Sequence, residues 1–403
     1  MRPRTSYERV MKVCLFTDTL GDINGVSRFI RTAGDTAAQT GRDLTVITST
    51  RMTMPKGDHF VNFGPLYARR MPAYEHLEIA FPPWLAMGRA VAAMKPDAIH
   101  VSTPGPVGVA GRRLARKLRV PLLGTYHTDF PAYLEHLTHD SVLGAMTAGV
   151  MKWFYATFDR IFSRSEEYID AMVAAGLDRS RMRRLRPGMD TSAFRPEFRD
   201  TGLWSRLGVD ARPGIVRVLS CGRVSVEKNL PLLAQAWVTS RATLRDRGVQ
   251  ARLIVVGDGP YKPAMERDLA GLDVDFLGFR HGRELSAIYA SCDLFAFPSE
   301  TDTLGQVVME AQASGVPALV SDVGGPKSIV VDGVTGRIIP GGRSEAWAAA
   351  IAELAADTNL RRRMGAEAHR HLQGFGFRAS FEHFWREHEA AVDERRARVP
   401  SPV

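Results

Sequence analysis

The chain has little that would fix its fold or place it by covalent or membrane constraints. Three cysteines in 403 residues, Cys14, Cys221 and Cys292, are too few and too scattered for a disulfide framework or a metal-ligand spacing, which fits a reducing compartment. No apolar run reaches the ~18 residues that a membrane-crossing helix needs. The first ten residues, MRPRTSYERV, have no apolar core like that of a signal peptide, and Met11 is an alternative start. No low-complexity tract occurs. The G-x-G-x-x-G fingerprint is missing, which counts against an NAD or FAD enzyme. These absences lead us to expect a cytoplasmic protein. The composition is that of an ordinary globular chain, 45% hydrophobic and 24% charged, with enough residues for two or three domains. The formal charge of +9 favours an anionic partner: a membrane surface, a phosphorylated substrate or nucleic acid.

Apolar runs suited to parallel strands alternate with helical patterns, and they do so twice. In the first half the runs are Val13–Thr17, Leu44–Thr48, Ala98–Val101, Leu122–Tyr126, Arg160–Ser163 and Met182–Leu185. In the second they are Val216–Ser220, Leu253–Val256, Val274–Leu277, Leu294–Phe297, Ala318–Ser321 and Arg337–Ile339. Helices are expected between most of them, including Trp84–Met94, Val107–Leu118, Gln306–Ser314 and Lys327–Val331, and along a tail from Ser344 to Val392. The pattern predicts an α/β protein of two Rossmann-like doubly wound domains facing across a cleft, with C-terminal helices packing back. Pro187, Gly188 and Pro196 punctuate the first boundary, and Pro213-Gly214 a hinge. We therefore expect a flexible N-terminus 1–10, a first domain 11–196, a linker 197–213, a second domain 214–375, and a C-terminal helix and tail 376–403.

Ligands in such sheets lie beyond the carboxyl ends of the strands, and the loops there hold the candidate residues. The run PSETDTLGQVVMEAQASGVP, 298–317, is a loop that tips into a helix. Thr303 and Gln306 have the spacing of a capping box, and Gly315 with Pro317 ends the helix. The backbone N–H groups of Thr303, Leu304 and Gly305 and the positive end of the helix dipole offer an anion a seat, which Gly305 would let a phosphate approach. Asp302 and Glu310 flank that seat. Arg223 and Lys228 follow the first strand of the same half and suit a diphosphate as fork and point charge. Gly257 lies in a turn after the next strand, and Phe279 after the third stands where a base edge could rest. In the first half, His127 comes straight off a strand and could donate a hydrogen bond to a sugar hydroxyl. Each of these loops is also what a purely structural turn looks like.

Taken together, GRVSVEKNL, VVGDGPY, and LGF followed by LSAIYASCDLFAFPSETDTLGQVVMEAQASGVP resemble the retaining glycosyltransferases of family GT4, which have the GT-B fold. The likeness includes the earlier D-x-N-G-V-S and HTDFPAY segments and covers roughly residues 11–390. Within the family the chain is most similar to GDP-mannose-dependent α-mannosyltransferases and sulfoquinovosyl-diacylglycerol synthases. The resemblance implies transfer of a hexose, mannose from GDP-mannose first among the candidates, with retention of anomeric configuration. It implies no cofactor and no metal beyond the nucleotide-sugar donor. It places Arg223 and Lys228 on the donor diphosphate, Thr303-Leu304-Gly305 beneath the phosphates, and Glu310 on the ribose. Gly25 would lie in a loop closing over the donor, and His127 beside the donor sugar. The first acid of the family's E-x7-E motif falls on Asp302, one methylene shorter than Glu, which leaves the donor sugar open.

An acceptor side formed by Asn24, Tyr126, Asp129 and Tyr133 is expected, with a lipid or lipid-linked acceptor. Arg112, Arg113, Arg116, Lys117 and Arg119, the arginines of 179–186, and Phe81-Pro-Pro-Trp84 suit peripheral contact with an anionic membrane, on its inner face. Nucleic acid is not an expected partner. A UDP-sugar-dependent glycolipid synthase and a GT-B-type sugar-nucleotide epimerase are the alternatives. Asp273-Val-Asp275 is a D-x-D, as in metal-dependent transferases of another fold, but it opens a strand at the end away from the ligand edge and is read as a turn.

Overall fold

The structure, a computed structural model, describes residues 10–22, 25–71, 74–127, 141–302 and 304–398, and only the backbone of residues 70, 71, 74–77, 141–145 and 167. The chain divides into two compact units. The first holds residues up to His127, Ala145–Arg186 and the chain from Arg378 on; the second holds Pro187–Phe377.

Seven parallel strands form the sheet of the first unit: β1 (Lys12–Phe16), β2 (Asp43–Thr48), β3 (Phe60–Asn62), β6 (Ala98–Val101), β7 (Leu122–Tyr126), β8 (Arg160–Ser163) and β9 (Met182–Arg184). A separate antiparallel hairpin, β4 (Tyr67–Met71) and β5 (Tyr74–Phe81), precedes β6. The spatial order is β3-β2-β1-β6-β7-β8-β9. The second unit has six parallel strands, β10 (Val216–Cys221), β11 (Ala251–Val256), β12 (Val274–Gly278), β13 (Leu294–Phe297), β14 (Ala318–Ser321) and β15 (Gly336–Ile339), ordered β12-β11-β10-β13-β14-β15. Both are doubly wound sheets whose order reverses once, between β1 and β6 and between β10 and β13. Crevices at such reversals are where this architecture binds ligands. The central strands are buried on both faces, as continuous apolar runs require.

Several expectations change. β3 and the β4–β5 hairpin have no continuous apolar run and were absent from the strand pattern. Lys327–Val331 is not an α-helix: Pro326 follows two glycines there, and the backbone makes a tighter turn over Gly325–Ser328. Residues 187–213, expected to finish the first domain and form a linker, pack with the second unit. Met189, Phe194, Leu203, Trp204 and Val209 are buried in its core beside Tyr289 and Phe295.

The final helix, Phe377–Arg398, belongs to the first unit. Arg42 forms a bidentate pair with its Glu382 (2.8 and 2.6 Å), and buried Arg160 meets Glu387 and Glu394. Its His388 is fully buried. Nδ1–H donates to the Phe384 carbonyl (2.7 Å), which leaves Nε2 to accept from His100 Nδ1–H at 3.1 Å. His100 Nε2 in turn accepts from the Thr125 hydroxyl at 2.9 Å. Every nitrogen in this relay is used by a neutral ring, so a proton on any of them breaks a bond.

Burial lowers His388 from the ordinary 6.5 to about 4, and burial, with its histidine neighbours, holds His100 well below its ordinary value. A histidine neutral in the fold but protonated when unfolded gives stability that is complete above 6.5 and is lost as pH falls toward 4. His388 alone should therefore cost the first unit roughly 2–3 kcal/mol between pH 7 and 4.5. Urea unfolding at the two pH values should show that loss in the wild type and a smaller one in His388→Gln.

Candidate active site

The second unit builds its site from the loops that leave β10, β11 and β13. After Cys221 the backbone passes through Gly222 (φ +146°) to Arg223 and Val224, turns over Val226–Lys228, and enters the helix Leu230–Asp246 through Asn229 at φ +55°. Gly257 follows β11 at φ +123°. A Cβ at Gly257 would stand 1.9 Å from the Gly222 carbonyl oxygen, and one at Gly259 2.4 Å from that of Val224. Backbone hydrogen bonds join the loops: Gly222 N–H to Val256 O, Val224 N–H to Asp258 O, and Gly257 N–H to Gly278 O. Gly257 is thus needed for loop-on-loop contact.

The loop after β13 closes on the other side. Lys228 Nζ donates to Asp302 Oδ2 at 2.8 Å, Asn229 Nδ2 to Glu300 Oε1 at 3.2 Å, and the Thr301 hydroxyl to Glu227 O at 3.0 Å. Lys228 and Asp302 are both about three-quarters buried, so their attraction is only partly screened. Arg223, more exposed, stands 3.9 Å from Glu227. Arg223 and Lys228 line one hollow with Gly222 and Phe297.

The helix expected after this loop runs Gln306–Ala313, with Gly305 at its entry in the left-handed region (φ +74°) and no side-chain cap. This replaces the expected capping box; Thr303 lies outside the described residues. A Cβ on Gly305 would come 2.9 Å from the Pro326 ring, so the glycine makes room for Pro326. Leu304 is 4% exposed and belongs to the hydrophobic core, so only its backbone could face a phosphate. Glu310 is buried one side of the same helix, near the Tyr289 hydroxyl, whose pKa burial raises, with further contributions from Cys221 and Glu310. Phe279, beyond edge strand β12, is exposed and lies parallel to the His281 ring. At the opposite end of that strand, Asp273 is bound by Arg241 and Arg252 and Asp275 by Arg252 (2.7 Å).

In the first unit, neighbouring strands β1, β6, β7 and β8 end on Asp18, Ser102, His127 and Arg164. Asp18 accepts from Thr103 Oγ1 (2.6 Å) and from the first N–H groups of the helix Pro106–Leu118, at Val107 (2.7 Å) and Gly108 (3.3 Å). Burial pushes its pKa up to about 6 in spite of these bonds. His127 Nε2 shares a 2.8 Å hydrogen bond with the Ser102 hydroxyl, and burial, helped by the Arg164 charge, holds the ring well below its ordinary pKa. It is neutral at physiological pH. Tyr126, expected on the acceptor side, is 5% exposed and packs edge-on to Tyr155 in the core. Gly25 opens the helix Gly25–Gln39 and is exposed. Asn24, Asp129 and Tyr133 lie outside the described residues.

Residues 23–193 match the family described as Glycosyltransferase Family 4, and residues 212–371 that of Glycosyl transferases group 1. A GDP-mannose-dependent alpha-mannosyltransferase from Mycobacterium tuberculosis (strain CDC 1551 / Oshkosh) is 30% identical over 335 residues, 81% of this chain and 82% of that one. The chain belongs to the family 4 glycosyltransferases. The sulfoquinovosyl transferase SQD2 of Arabidopsis thaliana is 32% identical over 294 residues, 72% of this chain; the match spans 56% of that relative's length. The crystal structure of Anabaena Alr3699/HepE in complex with UDP and glucose superposes with a TM-score of 0.74 at 20% identity, covering 94% of this chain and 99% of that one. The glycosyltransferase has the GT-B fold.

Of the site residues expected in the second half of the glycosyltransferase, Arg223 and Lys228 line one hollow and Lys228 pairs with Asp302, whereas Gly305 packs on Pro326 and Glu310 lies near Tyr289. Glu300 and Asn229, and the Gly324-Gly325-Pro326 turn beneath Gly305, were missed. Gly325 N–H donates to Asp302 O (2.8 Å), and a Cβ on Gly324 would meet Glu300 O at 2.6 Å. A glycine pair before a proline was the one available signal. Asp18 and Arg164 had none beyond their places after strands.

Gly257→Ala forces the two loops apart and adds positive-φ strain, whereas Gly271→Ala at φ +75° meets no atom within 4 Å and adds strain alone. Thermal unfolding should show a loss of about 1 kcal/mol for Gly271→Ala and at least twice that for Gly257→Ala.

Proposed function

We propose that the enzyme transfers a hexose, with mannose from GDP-mannose the first candidate, to a lipid or lipid-linked acceptor at an anionic membrane surface, with retention of configuration and without a metal ion. The observation that carries this reading is the Arg223–Lys228 hollow, with Lys228 paired to Asp302 on the loop that leads into the Gln306–Ala313 helix. A diphosphate entering there takes the ammonium of Lys228 and the guanidinium of Arg223, which stabilise the charge the leaving group gathers as the glycosidic bond breaks. The exchange frees the Asp302 carboxylate to accept from a sugar hydroxyl. Neutral His127 can offer a substrate hydroxyl a hydrogen bond without adding charge. The D-x-D acids are committed to Arg241 and Arg252, which supports a metal-free reaction.

The mannosyltransferase among the relatives favours GDP-mannose. The sulfoquinovosyl transferase favours a second reading, glycolipid synthesis from a UDP-sugar. A thermal-shift panel of GDP, UDP and ADP sugars separates them, because a ligand bound only by the fold raises the melting temperature. GDP-mannose should give the largest shift, and Lys228→Ala and Glu310→Ala should each lower kcat at least about tenfold, or ~1.4 kcal/mol of barrier. Folded variants with unchanged rates would rule out this seat.

The membrane contact rests on one face of the first unit. Met146, Val150 and Trp153 are exposed at helical spacing on the helix Ser141–Tyr155. The Arg112 guanidinium lies 4.2 Å over the Trp153 ring and Arg113 5.4 Å over Trp84, next to Leu85, which is 78% exposed. Arg116 and Lys117 project beside them. Aromatic and aliphatic groups among cations suit the headgroup region of an anionic bilayer. No helix among the described residues is long and apolar enough to cross a membrane. Sedimentation with phosphatidylglycerol vesicles should carry down the wild type and lose at least fivefold with Leu85→Ala/Trp153→Ala, and phosphatidylcholine vesicles should bind neither.

A further inference from the structure

Most of the buried arginines in this protein have an evident occupation. Arg160 meets Glu387 and Glu394, Arg217 donates to the carbonyls of Ile215 and Asp210, and Arg361 to those of Leu354 and Ala355. Arg164, at the carboxyl end of β8, is 7% exposed, and its Nε and Nη2 have no hydrogen-bond partner among the described residues. Its guanidinium lies 4.3 Å over the Phe29 ring. The nearest acid in sequence, Glu166, is taken by Arg179. Burial lowers the Arg164 pKa to about 10, which leaves it charged at neutral pH.

A dry guanidinium with two idle donors destabilises the fold that carries it. Those donors are not arbitrary. Nε–H and the adjacent Nη2–H lie on one edge of the guanidinium and point the same way, which is the fork that takes two oxygens of one carboxylate, sulfonate or phosphate. Phe29 fixes the plane of the fork from below. Next to it begins the helix Glu166–Ala174, whose N-cap residue Ser165 makes no side-chain cap, so the backbone there adds positive potential. His127, whose titration Arg164 influences, is held by Ser102 on the neighbouring strand end.

We propose that Arg164 is the receptor for an oxyanion carried by one of the enzyme's substrates, so that a charged group on that substrate, and not its hydroxyls alone, selects it. This rests on the reading of the chain as a sugar transferase using these strand ends. The anion is a phosphodiester of the acceptor. It neutralises a charge that no described residue matches. The site is kept at the expense of stability.

The test separates the anion from the catalysis. In an Arg223→Ala/Lys228→Ala background, which removes the diphosphate seat, inorganic phosphate should raise the melting temperature of the protein, and adding Arg164→Met should abolish that rise while raising the melting temperature without phosphate. This result stands whether or not transfer is ever observed, so its failure is distinct from failure of the transferase reading. In the otherwise wild-type enzyme, Arg164→Gln should raise KM at least tenfold for phosphatidylinositol but less than twofold for diacylglycerol. Arg164→Lys, charged but without a fork, should recover part of the loss. Equal effects on charged and neutral substrates, or a phosphate response that survives Arg164→Met, would overturn the proposal.

Discussion

Contact of main chain with main chain is what the second unit's site depends on. The turn after β10 and the turn after β11 approach so closely that Gly257 has no space for a single carbon beyond its backbone. Hydrogen bonds from Gly222, Val224 and Gly257 then tie three consecutive strand ends into one rigid rim. Arg223 and Lys228 are carried on that rim, and their flexible side chains are directed by a frame that has very little freedom. Catalysis by charge placement needs this, because a donor aimed before the reaction begins spends nothing on reorganisation.

The loop from β13 supplies a counterweight. Asp302, Glu300 and Thr301 each reach across to the Glu227–Asn229 turn, so both sides of the reversal are held in register. The Lys228–Asp302 pair matters most, since it is an ion pair between the two sides that is largely withdrawn from solvent. In the proposed reaction a nucleotide-sugar would replace that one ion pair by two charge-assisted contacts. The shorter Asp at this position is compatible with such an exchange: its carboxylate reaches the ammonium at 2.8 Å.

The fold was legible wherever burial writes itself as an unbroken apolar run. Leu294–Phe297 and Ala318–Ser321 lie in the middle of their sheet and were read to the residue. Edge elements were not: Phe60–Asn62 is three residues long, and YARRM with YEHLEIAF alternates polar and apolar groups as a solvated hairpin does. Three charged candidates that follow strands in the sequence, Arg223, Lys228 and Asp302, are also neighbours in the structure. The site's glycines were named for a different reason from the one the structure gives, since Gly257 and Gly305 make room for Gly222 and Pro326. Arg164 was invisible, one arginine in a basic chain. What distinguishes it is burial without a partner, and only side-chain packing shows that.

The last helix has a consequence for how the protein comes into being. Phe377–Arg398 completes the first unit, yet every residue of the second is synthesised before it. On the ribosome, Arg160 waits through 227 codons for Glu387 and 234 for Glu394, and His100 through 288 for His388, while the second unit has all its strands and can close earlier. The part made first is thus the part finished last. A nascent chain stalled before Arg378 would hold a folded second unit beside a sheet still lacking the partners of its buried basic groups.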